Sequence, residues 1–148
     1  MRRRDFITLI GGGVAAWPIV ARAQQPKVPI IGYLGATTAA AQKQWVDAFL
    51  QRLSELGRIE GRTVAIEYRW GEGRAERYAE IAAEFVRRKV DVIVTVGSAV
   101  PKVKEATTVI PIVFAVGIDP VASGLVASLA KPGGNVTGLS IQAVDLIT

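Results

Sequence analysis

The chain contains no cysteine and no histidine. Without a thiol there is no cysteine nucleophile, no disulfide framework and no lipid-accepting cysteine at an exported amino terminus. Without an imidazole there is no Ser-His-Asp relay, and without either residue there is no Cys/His zinc site. No catalytic residue, cofactor or metal is expected, and a carboxylate-only enzyme remains open. A phosphate-binding loop is missing as well, because none of the glycine groups is followed by Gly-Lys-Ser/Thr. Gly133-Gly134 falls between an expected helix and an expected strand, the wrong end for a nucleotide fingerprint. There is no internal repeat and no low-complexity tract.

The amino terminus holds what the rest of the chain lacks, a long apolar run. Arg3-Arg4-Asp5-Phe6-Ile7 leads into it, and Ala21-Arg22-Ala23 closes it before Gln24. A basic start, an apolar stretch and a small-x-small cleavage site are the parts of an export leader. The arginine pair followed by x-Phe-Ile resembles a twin-arginine signal, with Thr8 where that signal's lysine is expected. A spanning helix needs roughly 20 apolar residues, whereas Phe6 to Val20 is shorter and carries Gly11-Gly12-Gly13 and Pro18. The expected organisation is a cleaved leader over 1–23 and one domain over 24–148, exported to the periplasm with no stable membrane anchor.

Removing the leader changes the charge. It takes four of the 18 basic residues and one of the 13 acidic ones, leaving 14 against 12, a net +2 in place of +5. The remaining basic residues alternate with acids, as in Glu76-Arg77 and Glu84 to Lys89, which describes a solvated helix face. A nucleic-acid partner is not expected.

The mature part is long enough to bury a core without covalent staples. Val28 to Leu34 is a short apolar run; Ala40 to Leu56 then places Trp45, Phe49, Leu53 and Leu56 on one helical face, with Gly57 at its end. Thr63 to Trp70 alternates, with Val64, Ile66, Tyr68 and Trp70 on one side, as a strand near a sheet edge does. After the turn Gly71-Glu72-Gly73, the residues Tyr78, Ile81, Ala82, Phe85 and Val86 form the buried stripe of a second helix. Val90 to Val96 and Ile110 to Val116 are β-branched runs suited to central strands covered on both faces. Between them a short helix is announced by Gly97-Ser98, as turn and N-cap, and by Pro101. Asp119-Pro120 opens a further expected helix through Leu129, and Asn135 to Leu139 is the last strand.

Strand and helix alternating four times before a fifth strand predicts an α/β fold, a doubly wound parallel sheet. Ligands of such sheets collect beyond the carboxyl ends of the strands. The loops that arrive there are Gly35 to Ala39, Trp70 to Gly73, Gly97 to Ala99 and Gly117 to Pro120. Thr37, Thr38, Ser98 and Asp119 are the candidate ligand-binding residues. Each has a plainer reading: Gly35-Ala36-Thr37-Thr38 as a βα turn with a capping threonine, Ser98 as an N-cap, and Asp119 as the cap of the helix after it. A serine hydroxyl beside free helix amides also suits a carboxylate or another anion. Tyr33, Tyr68 and Trp70 read as packing residues.

The segments Ile110-Pro111-Ile112-Val113-Phe114, Asp119-Pro120-Val121-Ala122-Ser123-Gly124-Leu125-Val126 and Lys131-Pro132-Gly133-Gly134-Asn135-Val136-Thr137-Gly138-Leu139-Ser140 resemble the ABC-transporter substrate-binding protein family, whose better known members bind aromatic amino acids. Leu56-Gly57, Glu60-Gly61-Arg62 and Val90-Asp91-Val92-Ile93-Val94 match it too. The resemblance implies a non-catalytic periplasmic receptor of two lobes, of the type I periplasmic-binding-protein kind, that closes on a small solute such as an amino acid and delivers it to an ABC permease. Family members run to about twice the mature length found here, so the expectation is the amino-terminal lobe alone. A ligand-sensing or interaction module of the same fold is the alternative, and an exported hydrolase using Asp119 with a second carboxylate is a third.

Overall fold

The computed structural model describes residues 27–128, 130–131 and 133–141. The leader and its cleavage site lie outside the described residues, as does Leu129. Five strands, β1 (Ile30–Gly35), β2 (Ala65–Trp70), β3 (Val92–Val96), β4 (Ile112–Ile118) and β5 (Val136–Ile141), form one sheet in the order β2-β1-β3-β4-β5. Every neighbouring pair is parallel. The helices are α1 (Ala39–Glu55), α2 (Ala75–Arg88) and α3 (Val100–Ala106), the last entered through a 3-10 turn at Gly97–Ala99. This is an α/β, doubly wound parallel sheet, with β2 at the edge where its alternation puts it.

The path turns back once, going from β1 out to β2 and then past β1 to β3. Right-handed crossovers then place α1 on one face and α2 and α3 on the other. A Cβ at Gly32 would lie 2.8 Å from the Phe85 ring of α2, whereas one at Gly35 would lie 2.7 Å from Gln42 of α1. Even positions of β1 therefore face α2 and odd positions face α1. Parallel register carries this assignment across the sheet: Gly32 pairs with Ile93, Ile93 with Ile112 and Ile112 with Val136.

The core lies on the α2–α3 face. Leu34, Phe85, Ile93, Val100, Val103 and Ile112 are fully buried there, with Phe114 and Tyr78 at 3% exposure. Burying side chains of this size contributes about 1.5–3 kcal/mol each, and the stripe of α2 supplies four buried residues, Tyr78, Ile81, Ala82 and Phe85.

The opposite face is only half covered, which corrects two expectations. Trp45 and Leu56 of the α1 region are 58% and 62% exposed, and the fully buried residue of α1 is Gln42. Val113 of β4 and Leu139 of β5 are 39% and 76% exposed, so the β-branched runs are sealed on one face rather than both. The register sets Val113 on the face of Tyr33 and Val94, where α1 reaches β2 and β1 but leaves β4 and β5 open.

The helix expected from Asp119 to Leu129 is a single turn over 120–124. Gly124, at φ +68°, closes it in a Schellman arrangement: Gly124 N donates to Val121 O at 3.0 Å and Leu125 N to Pro120 O at 2.8 Å. Lys104 of α3 then donates to the carbonyl oxygens of Gly124 and Leu125. The chain is thereby turned inward, and Leu125 and Val126 enter the core.

The segment before β5 has an equally local explanation. The Asn135 side-chain amide donates to Thr107 O at 3.0 Å and Ile110 O at 2.7 Å, tying the loop before β5 to the loop before β4. A Cβ at Gly138 would lie 2.1 Å from the Phe114 carbonyl oxygen, so only glycine fits there. Two residues of the Pro-Gly-Gly-Asn-Val-Thr-Gly segment are thus explained by packing.

Candidate functional site

Because all five strands run the same way, the loops after β1, β2, β3 and β4 emerge along one edge of the sheet. The reversal of strand order falls between β1 and β3, where an open sheet leaves a crevice. Thr37 and Thr38 follow β1, and Ser98 follows β3. Asp119 follows β4, the next strand over.

The β1 loop is held by its neighbour. Gly71 N donates to Gly35 O at 2.9 Å, Gly73 N to Ala36 O at 2.8 Å and Glu72 N to Thr37 O at 3.3 Å. Thr38 has extended backbone and its Oγ1 accepts from Ala41 N at 3.3 Å, so it is the N-cap of α1. The amides of Ala39 and Ala40 precede the first intrahelical bond and have no carbonyl of their own helix to meet. Thr37 is exposed, and among the described residues its hydroxyl has no hydrogen-bond partner.

Ser98 does not cap α3, contrary to expectation. The residue flanking α3 is Ala99, which gives no side-chain cap, and Ser98 sits inside the 3-10 turn that Gly97 opens at φ +57°. Its Oγ lies 3.2 Å from the Tyr78 hydroxyl oxygen, and that hydroxyl donates to Ala36 O at 2.9 Å. Two hydrogen bonds thus join the β3 loop to the β1 loop through a buried phenol.

Asp119 caps a turn and not the helix that its plainer reading expected. Its Oδ1 accepts from Ala122 N at 3.0 Å, while its backbone oxygen accepts from the Ser123 amide and hydroxyl. Just before it β4 bulges between Ala115 and Gly117, with Val116 at φ +61°. Such a bulge re-aims the chain at the end of a strand. The structure therefore brings Thr37, Thr38 and Ser98 to adjoining loops and sets Asp119 one strand further along. It also adds Tyr78, which its helical stripe marks only as a core residue. The available signal is that a buried tyrosine needs a partner for its hydroxyl.

A groove of about 430 Å³ runs along the flank between α1 and β2, lined by Val46, Leu50, Tyr68 and Trp70, by charged Lys43, Asp47 and Glu60, and by Ala39 at the start of α1. None of the four candidate residues lines it. Tyr68 and Trp70 are parallel to within 7° with centroids 6.4 Å apart, and Tyr33 contacts both, as packing residues do. Burial is the main reason that the Tyr68 phenol titrates far above its ordinary range, with the Glu60 carboxylate adding to it. Its buried hydroxyl makes no well-directed hydrogen bond. The loop-built edge at the reversal of strand order is the candidate for recognition. Among the described residues no group of His, Cys, Asp and Glu could hold a metal ion, and no helix is long and apolar enough to cross a membrane.

The profile of the ABC transporter substrate binding protein family matches residues 36–147. The chain belongs to that family. Within this substrate-binding family it is similar to a tyrosine-binding protein of Clostridioides difficile, with 36% identity over 93 residues, 62% of this chain and 27% of the relative. Among solved structures it is similar to the ligand-free, open form of a substrate binding protein with adhesive properties from Clostridium difficile, at TM-score 0.73 and 31% identity over 80% of this chain. It is also similar to an ABC domain in complex with L-Trp from Streptococcus pneumonia, at TM-score 0.70 and 29% identity over 76% of this chain. The chain spans 41% and 38% of those two structures and 27% of the tyrosine-binding relative, less than half the length of each of the three.

Proposed function

We propose that residues 24–148 are the amino-terminal lobe of an exported solute-binding protein, that 1–23 are its cleaved leader, and that the lobe captures a small organic solute, an amino acid or a close relative, for an ABC permease. The observation that carries this reading is the convergence of the β1 and β3 loops at the switch point of a substrate-binding family fold. Thr37, Thr38 and Ser98 are the hydroxyls proposed to meet the solute there, with Asp119 one strand further along and the Ala39 and Ala40 amides as donors for an anionic group. The family's substrate-binding role supports capture without chemistry, and the leader read in the sequence supports a periplasmic location.

Receptors of this kind gain affinity when two lobes close over the ligand. One lobe offers one wall of that cleft, so it binds weakly by itself. The test is an NMR titration of the ¹⁵N-labelled chain with L-tyrosine and L-tryptophan, the solutes named for its relatives. Amide shifts concentrated at residues 35–39, 97–99 and 117–120 are expected. Shifts confined to the α1–β2 groove, or none up to millimolar solute, would sink the reading.

The adhesive neighbour favours a second reading, in which the same lobe is an interaction module. Immobilised chain that retains cultured cells while showing no amide shifts with either amino acid would select it.

A further inference from the structure

We propose that Tyr78 fixes the polarity of Ser98, so that the Ser98 hydroxyl meets a bound solute as a hydrogen-bond acceptor. The solute group read there is then a donor, an ammonium or a hydroxyl, and not a carboxylate. The inference rests on the capture reading above and adds the direction of one proton to it.

A phenol has a single proton, and a carbonyl oxygen can only accept. The Ala36 oxygen lies 2.9 Å from the Tyr78 hydroxyl oxygen, so the phenol proton belongs to that bond. Ser98 Oγ lies 3.2 Å from the same phenol oxygen, and with the phenol proton already committed this pair is bonded only if serine donates. In the reverse arrangement, with Tyr78 donating to Ser98, the phenol and Ala36 oxygens would face each other with no proton between them. Tyr78 is 3% exposed, so water does not relieve such a contact. Ser98 is exposed, its proton is turned inward, and its free lone pairs are what it offers the crevice.

This reverses the simplest expectation for a serine at the mouth of a helix. A carboxylate placed on Ser98 Oγ would meet lone pairs, so an anionic group at this edge has to use backbone amides, such as those of Ala39 and Ala40. Tyr78 touches no solute and is a positioning residue.

The test compares L-tryptophan with indole-3-propionate, the same skeleton without its amino group. NMR titrations are run on the full chain and on Tyr78→Phe, Ser98→Ala and the double variant. The native chain is expected to prefer the amine roughly tenfold or more. Ser98→Ala and Tyr78→Phe should each lose most of that preference, and the double variant should lose no more than Ser98→Ala alone. In Tyr78→Phe the serine proton is released, so indole-3-propionate should bind more tightly than to the native chain, an effect that loosening of the fold does not produce. Additive losses, an unchanged preference in Tyr78→Phe, or equal native affinity for the two probes would overturn the proposal.

A ligand-free measurement separates its failure from that of the capture reading. The Tyr78 hydroxyl proton should show a cross-peak to the Gly73 amide, which shares the Ala36 acceptor. A cross-peak to the Ser98 methylene protons in its place would overturn the polarity. If neither probe binds any form, the capture reading fails, and the polarity of Ser98 stands or falls on this proton alone.

Discussion

The side-chain amide of Asn135 donates to the carbonyl oxygen of Ile110 at 2.7 Å, and its second proton goes to Thr107 O at 3.0 Å. One residue thus satisfies two carbonyls of the loop that delivers β4. Asn135→Ala is expected to cost about 1–3 kcal/mol, the penalty for part-buried acceptors left without donors. Asn135→Asp should cost more, since a carboxylate would face two carbonyl oxygens. Urea unfolding of the three proteins checks the order, and equal midpoints would show that the pairing carries no weight.

Gly138 allows the closest approach in the sheet. Gly138→Ala should destabilise the chain by several kcal/mol, because the new methyl would have to displace the Phe114 backbone and ring. The damage should be centred on the β4–β5 ladder. Hydrogen exchange is the discriminating readout: amides of 112–118 and 136–141 should lose protection, while those of β1 and β2 keep theirs.

The α1 cap is a stability element whatever else Thr38 does. Thr38→Ala removes the acceptor for Ala41 N and is expected to cost about 1 kcal/mol. Thr38→Asp or Thr38→Ser should restore it, and a thermal melt with no loss in Thr38→Ala would contradict the cap.

An acid limb of stability is expected from the ion pairs between β2 and α2. Arg69 grips Glu84 through two bonds, Nη2 to Oε1 at 2.7 Å and Nε to Oε2 at 3.3 Å. This hydrogen bonding holds the Glu84 carboxyl below its ordinary 4.5. A carboxyl depressed in the folded state contributes stability that is present above its unfolded value and is lost as pH falls through the folded one. Stability should therefore decline below about pH 4.5 with a slope that Glu84→Gln reduces. Both groups keep partial solvent contact, so the effect is modest and should shrink further in salt.

Much of the architecture was legible because it is written in local periodicity. The α2 stripe from Tyr78 to Phe85, the alternation of β2 and the β-branched runs of β3 and β4 led to the right elements and the right sheet class. What periodicity does not carry is whether anything covers a face. Val113 and Leu139 are as apolar as buried strand residues, and their exposure follows from where α1 lies across the sheet. Trp45 has the spacing of a core residue, yet Gln42 holds the buried position on α1. The helix expected after Asp119 fails at Gly124, whose left-handed conformation closes the turn early.

The candidate site divides in the same way. Four polar residues at strand ends were readable from the order of elements alone, since parallel strands deliver their carboxyl ends to one edge. A threonine of the β1 loop does cap α1, whereas neither Ser98 nor Asp119 caps a helix. Tyr78 could not be recognised from sequence as part of the edge, because its partners Ala36 and Ser98 lie 42 and 20 residues away.

By itself, the sequence determined the class of fold and the family, because period and short motifs are properties of neighbouring residues. The tertiary structure decided which strand faces are sealed, why Asn135 and Gly138 stand where they do, and that the Tyr78 hydroxyl meets both Ala36 and Ser98. Each of these depends on groups brought together across the sheet, where a hydrogen bond or a close approach is settled by position in space and leaves no mark on local spacing.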